Sequence, residues 1–95
     1  MAVLDPFVFG GSIAGSSSVV FQPAAGTYFL ATHVYLAASG NVKFQLTDGT
    51  TDYDLAKADG VYQNVKVMGS NAIYFKLTNT YSGALTGCVA GFQVK

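Results

Sequence analysis

Apolar and polar side chains alternate along several segments of this chain. Val42, Phe44 and Leu46 are separated by polar residues, and residues 73–78 repeat the same alternation. Successive side chains of a β-strand point to opposite faces of its sheet, so this period of two predicts half-buried antiparallel strands. We predict about eight short strands. They are placed at residues 7–9, 18–22, 27–37, 41–47, 52–56, 61–68, 72–79 and 84–94.

Turn-forming residues separate the predicted strands at intervals of about eight to twelve residues, which is typical of a sandwich or a small barrel. Examples are Ser39-Gly40-Asn41, Asp48-Gly49 and Asp59-Gly60. The chain contains neither Glu nor Arg but has six Tyr and seven Phe, a composition that favours sheets over helices. We therefore expect an all-β fold, a single antiparallel β-sandwich that is jelly-roll-like in form.

The length of 95 residues is enough for one compact domain. We place the β-sandwich domain at residues 18–95. Residues 1–17 are apolar but are interrupted by Pro6 and by glycines at positions 10, 11 and 15. We expect this segment to be either an N-terminal arm that orders on a neighbouring molecule or an edge strand followed by a loop.

The predicted strand 27–37 is apolar in both of its phases. One phase holds Tyr28, Leu30, Thr32, Val34 and Leu36, and the other holds Phe29, Ala31, His33 and Tyr35. A single sandwich has only one interior, so the second face is expected to meet another chain. We predict a homo-oligomer, either a trimer or a dimer. Its interface is predicted to comprise Phe29, His33 and Tyr35, with Val3, Leu4, Phe7 and Phe9 as an N-terminal docking segment.

Charge is low and balanced. Five Lys offset five Asp, so the formal net charge is zero and the usual electrostatic footprint for nucleic acid or an anionic membrane is missing. The most membrane-like stretch, residues 24–38, is shorter than the roughly 18 apolar residues of a helical span. The first residues lack a basic region and contain Asp5 and Pro6, unlike a secretory signal. We expect synthesis in the cytoplasm and neither a nucleic-acid nor a membrane partner.

Candidate catalytic and ligand-binding patterns are weak. Residues 10–17 have the glycine spacing of a phosphate-binding loop, but Ser16 stands where that loop needs Lys. His33 is the single histidine and Cys88 the single cysteine, and Cys88 is interpreted as a small buried hydrophobe. We predict no enzyme activity, no cofactor and no metal centre.

Four acids, Asp48, Asp52, Asp54 and Asp59, lie close together in the sequence. Their oxygens are of the kind that Ca²⁺ takes, but the spacing is not that of an EF-hand and Glu is absent from the chain. The preferred interpretation is two Asp-Gly turns around a short strand. Whether this segment binds calcium is left open.

Tyrosine side chains suggest a second possible function. Exposed rings could stack on sugars, which would make the protein a carbohydrate-binding β-sandwich module. The positions concerned are Tyr28, Tyr35, Tyr53, Tyr62, Tyr74 and Tyr81. Because carbohydrate-binding modules commonly expose Trp, which this chain lacks, contact with protein is the preferred interpretation.

Residues 40–94 present their features in a recognisable order. A strand at 42–46 leads into Asp48-Gly49-Thr50, with Tyr53 shortly after it, and strands at 71–78 and 85–94 follow. This order resembles small β-sandwich virion proteins of tailed bacteriophages, although Tyr53 replaces a common Trp and Tyr74-Phe75-Lys76 replaces a common Arg. The resemblance implies a non-enzymatic virion structural protein, a capsid decoration or cement protein or a neck or tail accessory. Such a protein would bind major capsid or tail proteins and be made in the host cytoplasm.

Overall fold

The computed structural model describes residues 5–37, 41–56, 60–63 and 65–95. These residues form nine β-strands and no helix. The strands are β1 (Pro6–Ile13), β2 (Ser17–Phe21), β3 (Phe29–Leu36), β4 (Val42–Thr47), β5 (Asp52–Ala56), β6 (Gly60–Tyr62), β7 (Val67–Gly69), β8 (Tyr74–Asn79) and β9 (Leu85–Gln93). The described part of the chain contains no helix that is long and apolar enough to cross a membrane.

The strands build two antiparallel sheets. The five-stranded sheet has the order β1-β9-β3-β6, with β7 also pairing with β3, and the four-stranded sheet has the order β2-β8-β4-β5. Apolar side chains fill the space between the two sheets. The predicted all-β antiparallel sandwich is confirmed.

Phenylalanine rings dominate one part of the core. Phe7 stacks on Phe21 with 5.1 Å between ring centroids, and Phe21 meets the edge of Phe29 at 5.0 Å. Phe75 lies 5.9 Å from Phe7 and is fully buried. Strands from both sheets supply these rings, so their packing holds the two sheets together. The remaining buried apolar residues are Ile13, Ala31, Val34, Leu36, Ala37, Val42, Phe44, Leu77 and Val89.

The predicted strand 61–68 is divided into two short strands, β6 and β7, so the described residues form nine strands where about eight were predicted. Tyr62 of β6 pairs with Val34, whereas Val67 of β7 pairs with Ala31. Both short strands therefore lie along β3 at successive positions. The amide of Val65, between them, donates to the carbonyl of Thr32 at 3.0 Å.

A β-bulge at Thr32 changes which side chains of β3 share a face. The register with β9 shifts between Ala31 and His33, so one extra residue is inserted on β3. Before the bulge, Phe29 and Ala31 point into the core; after it, Val34 and Leu36 do so. The prediction that Phe29 shares a face with His33 and Tyr35 is therefore wrong.

Residues 6–13 of the predicted segment 1–17 form β1, an edge strand of the five-stranded sheet. β1 pairs with β9 over its whole length, from Pro6 opposite Phe92 to Ile13 opposite Leu85. Its side chains at Phe7 and Ile13 are buried in the core. Residues 1–4, with the predicted docking residues Val3 and Leu4, lie outside the described residues, as does the predicted turn at Ser39-Gly40.

Asn79 is a fully buried polar side chain at the end of β8. Its Nδ2 donates to the carbonyls of Ile13 at 3.0 Å and Gly83 at 2.9 Å, and its Oδ1 accepts from the amide of Tyr81 at 2.9 Å. Buried polar groups are stable only when hydrogen-bonded in this way. Asn79 thus ties the end of β1 to the connection between β8 and β9.

Candidate interaction surface

The outer surface of the five-stranded sheet is built from side chains that lie side by side on paired strands. Val8 of β1 is opposite Ala90 of β9, which is opposite His33 of β3. Directly opposed residues on antiparallel strands project to the same side of the sheet. The pairing gives two further rows on this side: Cys88, Tyr35 and Val61, and Phe92, Leu30 and Met68. We call these nine residues the apolar face.

Much of the apolar face is open to solvent. Val8 is 72% exposed, Val61 63% and Met68 49%, although all three are large hydrophobic side chains. Tyr35 and His33 are also exposed, while Cys88, Ala90 and Phe92 are half-buried. None of the nine carries a charge at neutral pH when the histidine is neutral. A contiguous apolar surface of this kind is typical of a contact site rather than of a monomer surface.

The outer surface of the four-stranded sheet is different in character. Lys76 Nζ lies 2.8 Å from Asp52 Oδ2, and Lys43 Nζ lies 3.8 Å from Asp54 Oδ2. Gln45 donates through Nε2 to Asp54 Oδ1 at 2.6 Å. We call this charged surface, completed by Thr78, which donates to Gln45 Oε1 at 2.6 Å, the polar face.

The electrostatics of the polar face follow from these contacts. The hydrogen bond from Lys76, and then the one from the Thr47 hydroxyl, hold the pKa of Asp52 below its ordinary value. The ion pairs are partly exposed, with 37% of the Asp52 side chain accessible. Paired charges that also contact water need no covering partner. The polar face is thus suited to solvent, unlike the apolar face.

The Asp-Gly turn predicted at residues 48–49 is present and uses its acid internally. Asp48 Oδ1 accepts from the amides of Thr51 at 2.7 Å and Thr50 at 2.8 Å, and these bonds lower the pKa of Asp48. Gly49 has a φ of 94°, which favours glycine. Among the described residues, which exclude Asp59, no group of three or more His, Cys, Asp or Glu side chains could hold a metal ion.

The predicted interface residues separate into buried and exposed sets. Phe7 and Phe29 are only 4% and 5% exposed, and Phe9 packs against the core. Their rings fill the interior of the sandwich, so these three cannot form the predicted docking surface in this fold. His33 and Tyr35 do lie together on the outer surface, on either side of Val34. Val3 and Leu4 lie outside the described residues.

Sequence patterns missed most of the apolar face. Val61 and Met68 were assigned to a single strand, although they belong to β6 and β7. Val8 stands out only once β1 is known to pair with β9. The sequence of β9 did indicate an apolar outer surface, because Cys88, Ala90 and Phe92 alternate in one phase and no residue from 85 to 94 is charged.

The tyrosines lie in several different parts of the molecule. Tyr35 belongs to the apolar face, whereas Tyr53 lies on edge strand β5 of the other sheet. Tyr62 lines an apolar cavity of about 270 Å³ beside β5 and β6. Tyr28 precedes β3, and the amino group of Lys95 lies over its ring, 5.5 Å from the ring centroid of Tyr28. Tyr81 follows β8. These rings do not form one platform.

Comparison with known proteins identifies the architecture. No protein-family model matches the chain. No curated protein matches its sequence either. Among solved structures, the chain is similar to the Drosophila NLP core, with a TM-score of 0.56 and 15% sequence identity, covering 93% of this chain and 98% of that one. The crystal structure of that protein provides insight into its pentamer formation and histone binding. At this identity the similarity establishes a shared sandwich fold.

Proposed function

We propose that this protein is a non-enzymatic structural subunit that self-associates through its apolar face. The observation that carries the proposal is the contrast between the two outer surfaces of the sandwich. One carries two Lys–Asp ion pairs next to a single exposed valine, Val20, and the other exposes Val8, Val61 and Met68 with no charge among its nine residues. Covering the second surface removes apolar area from water, which is the main favourable term in protein association.

The whole outer surface of the five-stranded sheet has the size of a stable contact. Four strands at about 4.8 Å spacing and the nine residues of β9 at about 3.4 Å each give a footprint of roughly 600 Å². The apolar face, whose three rows cross β9 at Cys88, Ala90 and Phe92, covers roughly 400 Å² of this surface. A specific interface buries at least about 1,000 Å² in total, or some 500 Å² from each partner, so residues beside the apolar face must also contribute to the contact.

A second copy of the chain is the partner that best fits this surface. The apolar face has no charge pattern that would select a differently charged partner, and a two-fold contact brings the same surface of each copy together. The zero net charge of the chain also removes long-range repulsion between copies. The shared fold with the NLP core, for which pentamer formation is described, supports assembly of such a sandwich.

The setting in which this subunit acts is proposed from the sequence resemblance. A virion protein of a tailed bacteriophage would present its copies on a capsid or tail surface, as a decoration or accessory protein. The histone binding described for the NLP core has no electrostatic counterpart in this sequence, because a highly basic partner calls for excess negative charge. Self-association is the part of the proposal that the geometry supports.

Sedimentation velocity over a range of concentrations tests the proposal. Tyr35→Asp places a carboxylate on the apolar face, and desolvating an unpaired charge is expected to raise the dissociation constant at least about a hundredfold. Tyr53→Asp is the matched control, because Tyr53 is also an exposed strand tyrosine but lies on β5. We expect the wild type and the Tyr53 variant to associate and the Tyr35 variant to remain monomeric. A wild type that stays monomeric at high concentration would refute the proposal.

A further inference from the structure

A cavity of about 180 Å³ lies at one end of the sandwich, between the two sheets. Both sheets line it: Phe21 ends β2, Phe29 begins β3 and Gln93 ends β9. Four residues of the connection between β2 and β3 complete the described lining, and none of the lining residues carries a charge. The cavity is therefore a neutral site that is mostly apolar.

Gln93 is the buried polar side chain of this cavity. It lies opposite Phe29 in the register of β9 with β3, so its side chain projects into the interior as that of Phe29 does. Only 5% of Gln93 is exposed, and its Nε2 donates to the main-chain oxygen of Lys95 at 3.1 Å. This bond fixes which branch of the amide is the oxygen, because a reversed amide would bring two acceptors together.

The other branch of the amide, Gln93 Oε1, is buried and receives no hydrogen bond from the described residues. Gln45 is equally buried, but its Nε2 donates to Asp54 and its Oε1 accepts from Thr78, both at 2.6 Å. Buried polar atoms nearly always have a partner, and a buried acceptor without one destabilises the fold. A molecule in the cavity can supply the donor that Gln93 Oε1 lacks.

Polar groups in the wall of the cavity bond to other parts of the chain. The Thr27 hydroxyl donates to the Ala24 carbonyl at 2.7 Å, which closes the turn before β3. Asn71 holds the connection from outside, because its Nδ2 donates to the Pro23 carbonyl at 3.0 Å and its own carbonyl accepts from Gln22 Nε2 at 2.9 Å. The wall is thus fixed by bonds that do not involve Gln93.

We propose that this cavity binds a small neutral molecule with an apolar ring and one hydrogen-bond donor, which donates to Gln93 Oε1. An apolar cavity of about 150 Å³ is enough to hold benzene, so the volume suits a single ring. Phe21 and Phe29 meet edge to face at 5.0 Å and supply aromatic wall. A charged ligand would lose its hydration without gaining an ionic partner from the lining. Apolar walls with one polar group that sets orientation are typical of small-molecule sites.

Titrations with phenol and with toluene, followed by heteronuclear NMR, test this site, because toluene has a methyl group in place of the hydroxyl. Gln93→Met keeps an unbranched side chain of similar length and removes the acceptor. We expect the substitution to raise the dissociation constant of phenol about tenfold more than that of toluene. Loss of the bond to Lys95 affects both ligands and cancels in this comparison. Gln63→Met, an exposed position after β6, is the matched control and is expected to change neither constant more than about twofold.

The wild type provides a second measurement that does not depend on how well the variant folds. At about 10 mM, phenol nearly saturates a site with a millimolar dissociation constant. We expect nuclear Overhauser effects between its ring protons and the methyl groups of Ala24 and Thr27. We also expect phenol, but not toluene, to shift the side-chain amide signals of Gln93.

These results together would support the inference. Absence of the Overhauser effects, amide shifts that are equal for the two ligands, or equal changes of both dissociation constants in a folded Gln93→Met variant would overturn it. Gln93 faces the interior and is not part of the apolar face, so each of these outcomes would leave the proposed self-association standing.

Discussion

Two adjacent glycines in β1 allow a sharp test of how this edge strand is held. Gly10 has a φ of 110° and Gly11 a φ of 119°, so both occupy backbone conformations that favour glycine. A Cβ added to Gly10 would overlap the carbonyl oxygen of Gly87 and lie 2.9 Å from Cys88 Cα, both on β9. A Cβ added to Gly11 would meet no heavy atom within 4 Å. Alanine at either position is strained, but only at position 10 does it collide with backbone.

The expected destabilisation differs between the two positions. Backbone strain costs each alanine variant about 1–2 kcal/mol. Gly10→Ala must also move β1 away from β9, and losing about two backbone hydrogen bonds adds roughly 1–3 kcal/mol. We therefore expect Gly10→Ala to lower the free energy of unfolding by about 2–5 kcal/mol and Gly11→Ala by about 1–2 kcal/mol.

Urea unfolding followed by far-UV circular dichroism measures this difference, since the chain has no Trp for fluorescence. Both glycine substitutions are made in the Tyr35→Asp background, so that self-association does not add to the stability. A Gly10 variant that is no less stable than the Gly11 variant would show that β1 is not packed against β9 as described. It would also remove Val8 from the apolar face.

The remaining predictions concern buried and exposed amides. Asn79→Ala leaves two carbonyls and the amide of Tyr81 without their partner, so it is expected to lower the free energy of unfolding by about 3 kcal/mol in urea titrations. Asn71→Ala removes one bond, to the Pro23 carbonyl, from an exposed side chain, and should cost less than about 1 kcal/mol. Equal losses in the two variants would contradict the role assigned to Asn79.

The regular parts of the sandwich could be predicted because side-chain alternation reports directly on a half-buried strand. β4 and β8 show this well: Val42 and Phe44 in β4, and Phe75 and Leu77 in β8, are the inward positions that the pattern indicated. β5 was also placed at its observed bounds, residues 52–56. These segments carry both an apolar and a charged phase, which fixes their orientation.

The predictions are wrong at positions where the local structure depends on contacts between segments that are distant in the sequence. The bulge at Thr32 has no sequence signature, because both phases of β3 are apolar and a one-residue insertion is invisible in such a pattern. The division between β6 and β7 depends on both strands pairing with β3. Asn79 looks like an ordinary residue at the end of a strand until Ile13 and Gly83 supply its acceptors. Only the register of β3 and β9 brings the apolar face together.

The alkylation rate of Cys88 is the most direct test of whether a second copy covers the apolar face. Cys88 is the only cysteine of the chain, is half-buried, and lies opposite Tyr35. The measurement is its alkylation rate at pH 8 with protein at about 1 µM and at about 500 µM, concentrations that bracket a typical weak self-association. We predict a much slower rate at the higher concentration for the wild type and equal rates for Tyr35→Asp. A wild-type rate that does not change with concentration, while the protein sediments as an oligomer, would show that copies meet through another surface.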